Sequence, residues 1–106
     1  MAILEKAVLA AIMMNTTHYV DIGAPKDAVI YYENATTMHR VLPDGTAMSG
    51  DWNLLDDGYF VKWKGGPEGD WKLNYTPGRI GYIDKLGKDL GPITKIIYGN
   101  PEKLPK

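Results

Sequence analysis

Alternation of apolar and polar residues, interrupted at short intervals by turn residues, is the feature that most restricts the fold of this chain. An alternation of period two is typical of a β-strand with one buried and one exposed face. The links between the runs are rich in Gly, Pro, Asn and Asp, which favour tight turns. Because these links are short, neighbouring runs should pair antiparallel. The predicted strands cover residues 28–33, 36–42, 46–52, 59–64, 71–76, 79–84 and 93–98.

The predicted fold is mostly β: an antiparallel up-and-down meander of seven or eight strands that forms a small barrel or half-barrel. One N-terminal helix is predicted over residues 2–14, which are rich in Ala, Leu and Met. Its polar face is thin, so we expect it to close one end or one face of the sheet. Residues 15–27 are predicted to be irregular, and the tail at 100–106 is expected to fray. The 106 residues form a single domain.

The hairpin around residues 43–45 allows its register to be predicted. A three-residue loop with glycine at positive φ pairs Arg40 with Met48 and Met38 with Gly50. A two-residue loop would mix apolar and polar residues on both faces, so the longer loop is favoured. The inner face is then apolar and Trp-lined, and its members are Met38, Leu42, Met48, Trp52, Tyr59, Val61, Trp63, Trp71, Leu73, Tyr75, Ile80 and Tyr82.

Arg40 falls on this otherwise apolar face. A buried guanidinium needs a partner, because an unpaired buried charge is costly. It could hold a carboxylate or phosphate of a ligand. It could instead reach solvent, or pair with an acidic residue of its own chain. The aromatic residues could line a pocket or simply fill the core of a small barrel. The predicted ligand-binding residues are Arg40, Met38, Met48, Trp52, Trp63, Trp71, Tyr75 and Tyr82.

No catalytic residue, metal site or cofactor is predicted. The two histidines, His18 and His39, have no companion at metal-ligand spacing. His39 is expected on the outer face as a solvated residue beside Ser49, which is the only serine of the chain. The carboxylate nearest to Ser49 in sequence is Asp51, and nothing around Ser49 resembles a nucleophile elbow. An enzyme that uses Arg40, a tyrosine hydroxyl and His39 is the least favoured hypothesis.

The composition restricts the partners and the location. Twelve Lys and Arg face thirteen Asp and Glu, for a net charge of −1. This balance argues against binding to nucleic acid or to an anionic membrane. The chain contains no cysteine, which favours a reducing compartment. Its first residues lack the basic leader of a signal peptide. We therefore expect a cytoplasmic protein.

Three motifs carry a family resemblance. They are Asp44-Gly45-Thr46, then Gly50-Asp51-Trp52, then a second Trp strand at 59–63 with a further Trp at 71. This pattern resembles small bacterial lipocalin-like (calycin-type) domains of unknown function, over about residues 28–98. True lipocalins carry their GxW motif near the first strand, whereas here it lies mid-sheet. The resemblance implies an up-and-down β-barrel or half-barrel with an internal pocket, and it implies no activity.

The leading functional hypothesis is noncatalytic binding of a small hydrophobic or amphipathic molecule in the concave face of the sheet. The alternative is a structural or assembly module with a filled core. Such a module would homodimerise through the helix or the last strand, because isoleucines lie on both faces of residues 93–97.

Overall fold

A computed structural model of the chain describes residues 2–66, 68–84 and 86–104. Within these ranges the chain forms one α-helix and nine β-strands, most of them in a single curved sheet. The elements are β1 (Ala2–Ile3), α1 (Lys6–Met13), β2 (Thr16–Val20), β3 (Ala28–Tyr32), β4 (Thr37–Val41), β5 (Ala47–Leu55), β6 (Gly58–Trp63), β7 (Glu68–Thr76), β8 (Arg79–Ile83) and β9 (Asp89–Tyr98).

Strands β2 to β9 form a closed eight-stranded antiparallel barrel. Each of these strands pairs with the next one along the chain, and β9 pairs with β2 to close the ring. The predicted meander with one N-terminal helix is confirmed. Strand β1 lies outside the ring, where Ala2 pairs with Tyr75 and Ile3 pairs with Asn74 of β7. It pairs with the part of the β7 edge that β6 does not occupy, because β6 pairs only with residues 68–71 of β7.

The predicted register of the β4–β5 hairpin is also confirmed. Arg40 pairs with Met48 and Met38 pairs with Gly50, and Gly45 has a φ of 91°. The glycine of the GxW motif has a packing role. A β-carbon on Gly50 would lie 2.6 Å from the carbonyl oxygen of Lys62. A side chain at that position would therefore collide with the backbone of β6.

Two segments differ from the prediction. Residues 15–27 were expected to be irregular, but Thr16–Val20 is the strand that pairs with both β3 and β9. Its β-branched and aromatic residues favour a strand, and the positive φ of Asn15 (54°) turns the chain into it. The helix begins only at Lys6, since Ala2–Ile3 is extended and pairs with β7.

Helix α1 closes one end of the barrel. Leu9 and Met13, one turn apart, are completely buried. Ala7 and Ala11, by contrast, are exposed. The helix is tied to the β5–β6 turn, because the N–H of its first residue donates to the Asp56 carbonyl at 2.9 Å. Among the described residues, no helix has both the length and the apolar character needed to cross a membrane.

Side chains of β2 satisfy the last carbonyls of the helix, which have no partner within the helix itself. The hydroxyl of Thr16 donates to the Met13 carbonyl at 2.7 Å. The Nε2 atom of His18 lies 2.8 Å from the Ile12 carbonyl oxygen. A carbonyl only accepts, so this nitrogen carries the proton. Burial lowers the pKa of His18 to about 4, so its ring is neutral at neutral pH.

The C-terminal segment folds back onto the barrel, and the expectation that it frays is wrong for residues 100–104. Leu104 is buried. Its N–H and its carbonyl both bond to the Asn100 side chain, at 2.9 and 2.6 Å. The hydroxyl of Tyr19 donates to Glu102 at 2.7 Å. Residues 105–106 of the predicted tail lie outside the described residues.

Aromatic residues fill the half of the barrel next to α1. The ring of Tyr32 meets His18, Trp52 and Tyr59 edge-on, with centroids 5.0, 5.0 and 5.9 Å apart. Its hydroxyl donates to that of Tyr59 at 3.3 Å. Edge-to-face contacts of this kind stabilise a core beyond the area they bury.

Candidate functional site

A cavity of about 100 Å³ lies inside the barrel at the end away from α1. The up-and-down topology brings the ends of β2, β4 and β8 together there with the starts of β3, β7 and β9. Arg40 is the only charged side chain in the lining, and the rest of the wall is apolar or aromatic. The lining residues are Val20, Ile22, Ala28, Ile30, Arg40, Leu42, Trp71, Tyr82 and Leu90.

The guanidinium of Arg40 carries a charge that no acidic residue in the described part of the chain balances. Its Nη2 atom lies 3.5 Å from the Met48 sulfur, and its Cζ atom lies 4.3 Å from the centroid of the Trp63 ring. Its Nε atom is buried and has no hydrogen-bond partner. None of the ion pairs within the described ranges includes Arg40. The cation is held by the thioether, to which Nη2 donates, and by the ring face, while its Nε–H has no acceptor.

The electrostatics of the cavity favour an anion. Desolvation lowers the pKa of Arg40, and the nearby Tyr82 opposes this effect. Burial raises the pKa of Tyr82 to about 12, so its hydroxyl stays protonated at neutral pH. Its ring stacks on Trp71, with centroids 4.8 Å apart. The cavity wall therefore contains a cation close to a neutral phenol, and groups of both kinds can donate to an anionic oxygen.

Five of the eight predicted binding residues come together at this end of the barrel. Arg40, Trp71 and Tyr82 line the cavity. Trp63 and Met48 lie against the guanidinium and hold it in place.

The other three predicted residues do not line the cavity. Met38 of β4 and Trp52 of β5 are buried. Trp52 belongs to the aromatic group that fills the half of the barrel next to α1. Tyr75 is 46% exposed, where β7 pairs with β1.

Several cavity residues were missed from the sequence. Val20 and Ile22 belong to a segment that was predicted to be irregular, and Leu90 precedes the predicted last strand. Ala28 and Ile30 lie in a predicted strand but were not assigned to the wall. Their period-two spacing along β3 was the signal that could have placed them on the inner face.

A second polar group lies on the outer face of the barrel, around His39. Its Nδ1 atom is 2.7 Å from Ser49 Oγ, and its Nε2 atom is 3.1 Å from Glu33 Oε1. The ring stacks on Tyr31 and is 7% exposed. His39 and Ser49 were expected to be neighbours on this face. The acidic neighbour, however, is Glu33 and not Asp51, and the ring is buried where a solvated one was expected.

Neither a metal centre nor a relative identifies a function. Across the described part of the chain, no three His, Asp or Glu side chains are grouped so that they could hold a metal ion. Comparisons with protein-family models, with curated proteins and with solved structures give no match. A function must therefore be inferred from the geometry of the barrel itself.

Proposed function

We propose that the protein binds a small amphipathic monoanion without catalysis. The apolar part of the ligand enters the cavity, and its carboxylate bonds to Arg40. The observation that carries this proposal is the partly desolvated guanidinium in the wall of an apolar cavity, which has no counter-ion among the described residues. A buried cation without a partner is costly. A ligand carboxylate would supply the missing charge and accept from the guanidinium.

The cavity volume limits the apolar part of the ligand. An apolar cavity of about 150 Å³ takes up a benzene molecule of six carbons. In proportion, the 100 Å³ here accommodates about four carbons. We infer that the ligand is a short-chain or branched-chain carboxylate, and that any longer chain leaves its remaining carbons outside the cavity.

The architecture supports a lipocalin-like assignment as part of this proposal. The resemblance to bacterial calycin-type domains implies an up-and-down β-barrel or half-barrel, and the eight-stranded antiparallel meander of this chain has that arrangement. Up-and-down barrels of this size can hold one small ligand in their interior.

Isothermal titration calorimetry with unbranched carboxylates from acetate to octanoate tests the proposal. Each added methylene should tighten binding about fourfold, equivalent to about 0.8 kcal/mol, until about four carbons are buried. The affinity should then become constant. Arg40→Met should abolish binding. Arg79→Met, which changes the only other arginine, should leave it intact.

Three results would contradict the proposal. They are no saturable binding of any acid in the series, equal binding by the Arg40→Met variant, and binding of the matching primary alcohols as tightly as the acids. The last result would show that the cavity recognises the chain but not the charge.

The second candidate function is assembly into a homodimer. Tyr98 of β9 is 74% exposed, and its hydroxyl donates to the Ala11 carbonyl of α1 at 3.2 Å. Val8, one turn earlier in the helix, is 40% exposed. These residues give the helix and the last strand a shared apolar surface. Sedimentation equilibrium would support assembly if it finds a dimer that Val8→Asp dissociates, and a monomer at all concentrations would exclude it.

A further inference from the structure

The outer group around His39 has a geometry that the proposed ligand site does not use. A serine hydroxyl, an imidazole and a carboxylate follow one another at 2.7 and 3.1 Å, on two different nitrogens of one ring. This order of groups is the one by which a base activates a serine nucleophile. It lies on the outside of the barrel, so it is independent of the cavity and its ligand.

The acidic neighbour determines which nitrogen of His39 can act as a base. The Glu33 carboxylate only accepts, so Nε2 of the neutral ring carries the proton and donates it. The Nδ1 atom then presents its lone pair to Ser49, whose hydroxyl donates to it. Tyr31 stacks against the ring with an interplanar angle of 22°. The orientation of the base is therefore fixed by a hydrogen bond on one side and by packing on a face.

A lysine lies opposite Ser49 on the outer face. Lys64 of the β6–β7 segment donates its N–H to the Ser49 carbonyl at 2.9 Å, and its side chain is exposed. The neighbouring pair of Gly50 with Trp63 puts Lys64 opposite Ser49 on the outer face. An ammonium near this position favours the negative charge that develops on an attacked carbonyl oxygen. Ser49 itself is partly exposed, so a small reagent can reach it.

We propose that Ser49 is an activated nucleophile that accepts acyl groups from small carboxylic esters. Its Oγ attacks the carbonyl carbon while its proton moves to Nδ1 of His39. The carbonyl re-forms as the bond to the alkoxy oxygen breaks, and the leaving alcohol takes that proton from His39. The products are an ester on Ser49 and a free alcohol. Glu33 is a positioning residue, because it acts only through the imidazole.

A fluorophosphonate reagent tests this site, because the only serine of the chain makes the result readable by intact mass. The Ser49 oxygen displaces fluoride from phosphorus, and its proton passes through His39 to water. We expect one adduct per folded chain, mapped to residue 49 by peptide mass spectrometry and absent from Ser49→Ala. His39→Gln should slow labelling about 100-fold or more, the usual size of a general-base contribution.

Variants of the two outer carboxylates separate positioning from general stability. Glu33→Ala should slow labelling. Glu33→Gln should restore part of the rate, because its amide oxygen can still accept from Nε2. Asp51→Asn is the matched control and should label at the rate of the unchanged protein. Circular dichroism and tryptophan fluorescence confirm that each variant is folded.

The proposal is overturned if the folded protein gives no adduct, or if His39→Gln labels as fast as the unchanged protein. It is also overturned if the chain unfolded in guanidinium chloride labels as fast as the folded chain. This last comparison needs no variant, so it decides the matter even where His39→Gln fails to fold.

Discussion

Replacement of Arg40 by methionine should stabilise the unliganded protein and at the same time abolish carboxylate binding. Methionine has a similar length and no charge, and it can fill the same space against Trp63 and Met48. The two effects should have opposite signs because the guanidinium is proposed to bind the ligand and takes part in no ion pair among the described residues. A residue with only a structural role would change both quantities in the same direction.

The magnitude follows from the contacts of the guanidinium. The buried, unpartnered Nε atom costs about 1 to 3 kcal/mol. The contact of the cation with the Trp63 ring returns about 0.5 kcal/mol, the lower end of the range for exposed pairs. Because the group is only half-buried, the low end of the first range applies as well. The variant should therefore gain about 0.5 kcal/mol, which raises the Tm by about 2 °C in a domain of this size.

Thermal and urea denaturation followed by circular dichroism measure this change, and calorimetry with butanoate measures binding. Arg79→Met is the control. Arg79 donates two hydrogen bonds to Asp89 at 2.6 and 3.0 Å, so its loss should lower stability slightly and leave binding unchanged. A fall of 1 kcal/mol or more in the free energy of unfolding of Arg40→Met would refute the reasoning, since the cation would then stabilise the empty barrel.

Three further outcomes are expected. The pKa of His18 falls from 6.5 to about 4 on folding, so only the unfolded chain binds this proton between those values. The free energy of unfolding should therefore decrease by about 3 kcal/mol as the pH drops from 6.5 to 4, and urea denaturation at both pH values should show a smaller decrease for His18→Gln. Gly50→Ala should lower the free energy of unfolding by about 1 to 3 kcal/mol, because the new methyl group meets the β6 backbone. Asn53→Ala, at an exposed position of β5, should have little effect on the urea midpoint. Leu104→Ala should cost about 2 kcal/mol in the same assay if the C-terminal segment is part of the core, and an unchanged midpoint would show that the segment is dispensable.

The parts of the fold that local signals determine could be predicted from the sequence. The β4–β5 register depends on a short loop with glycine at positive φ and on the need to keep the apolar residues on one face. Both are visible in residues 36–52, and Arg40 was therefore placed correctly opposite Met48.

The parts that depend on distant partners could not be predicted. Thr16–Val20 forms a strand because β3 and β9 lie on either side of it, and β9 is far away in sequence. The cavity wall at Val20 and Leu90 depends on the same pairing of β2 with β9. Glu33 is the last residue of the predicted strand 28–33, and its contact with His39 leaves no periodic signal. Whether a polar residue next to a strand reaches an outer-face histidine depends on side-chain geometry that the alternation pattern does not contain.

Closure of the ring between β2 and β9 has a consequence during synthesis on the ribosome. The hydroxyl of Thr17 donates to the carbonyl of Gly99 at 2.7 Å, across 82 residues of sequence. A nascent chain that has emerged only as far as β8 has two unpaired strand edges and no seam, and unpaired edges favour association between chains. The ribosome must therefore have translated β9 before the barrel can form, and a ribosome stalled within β9 would hold an open sheet that is prone to aggregate.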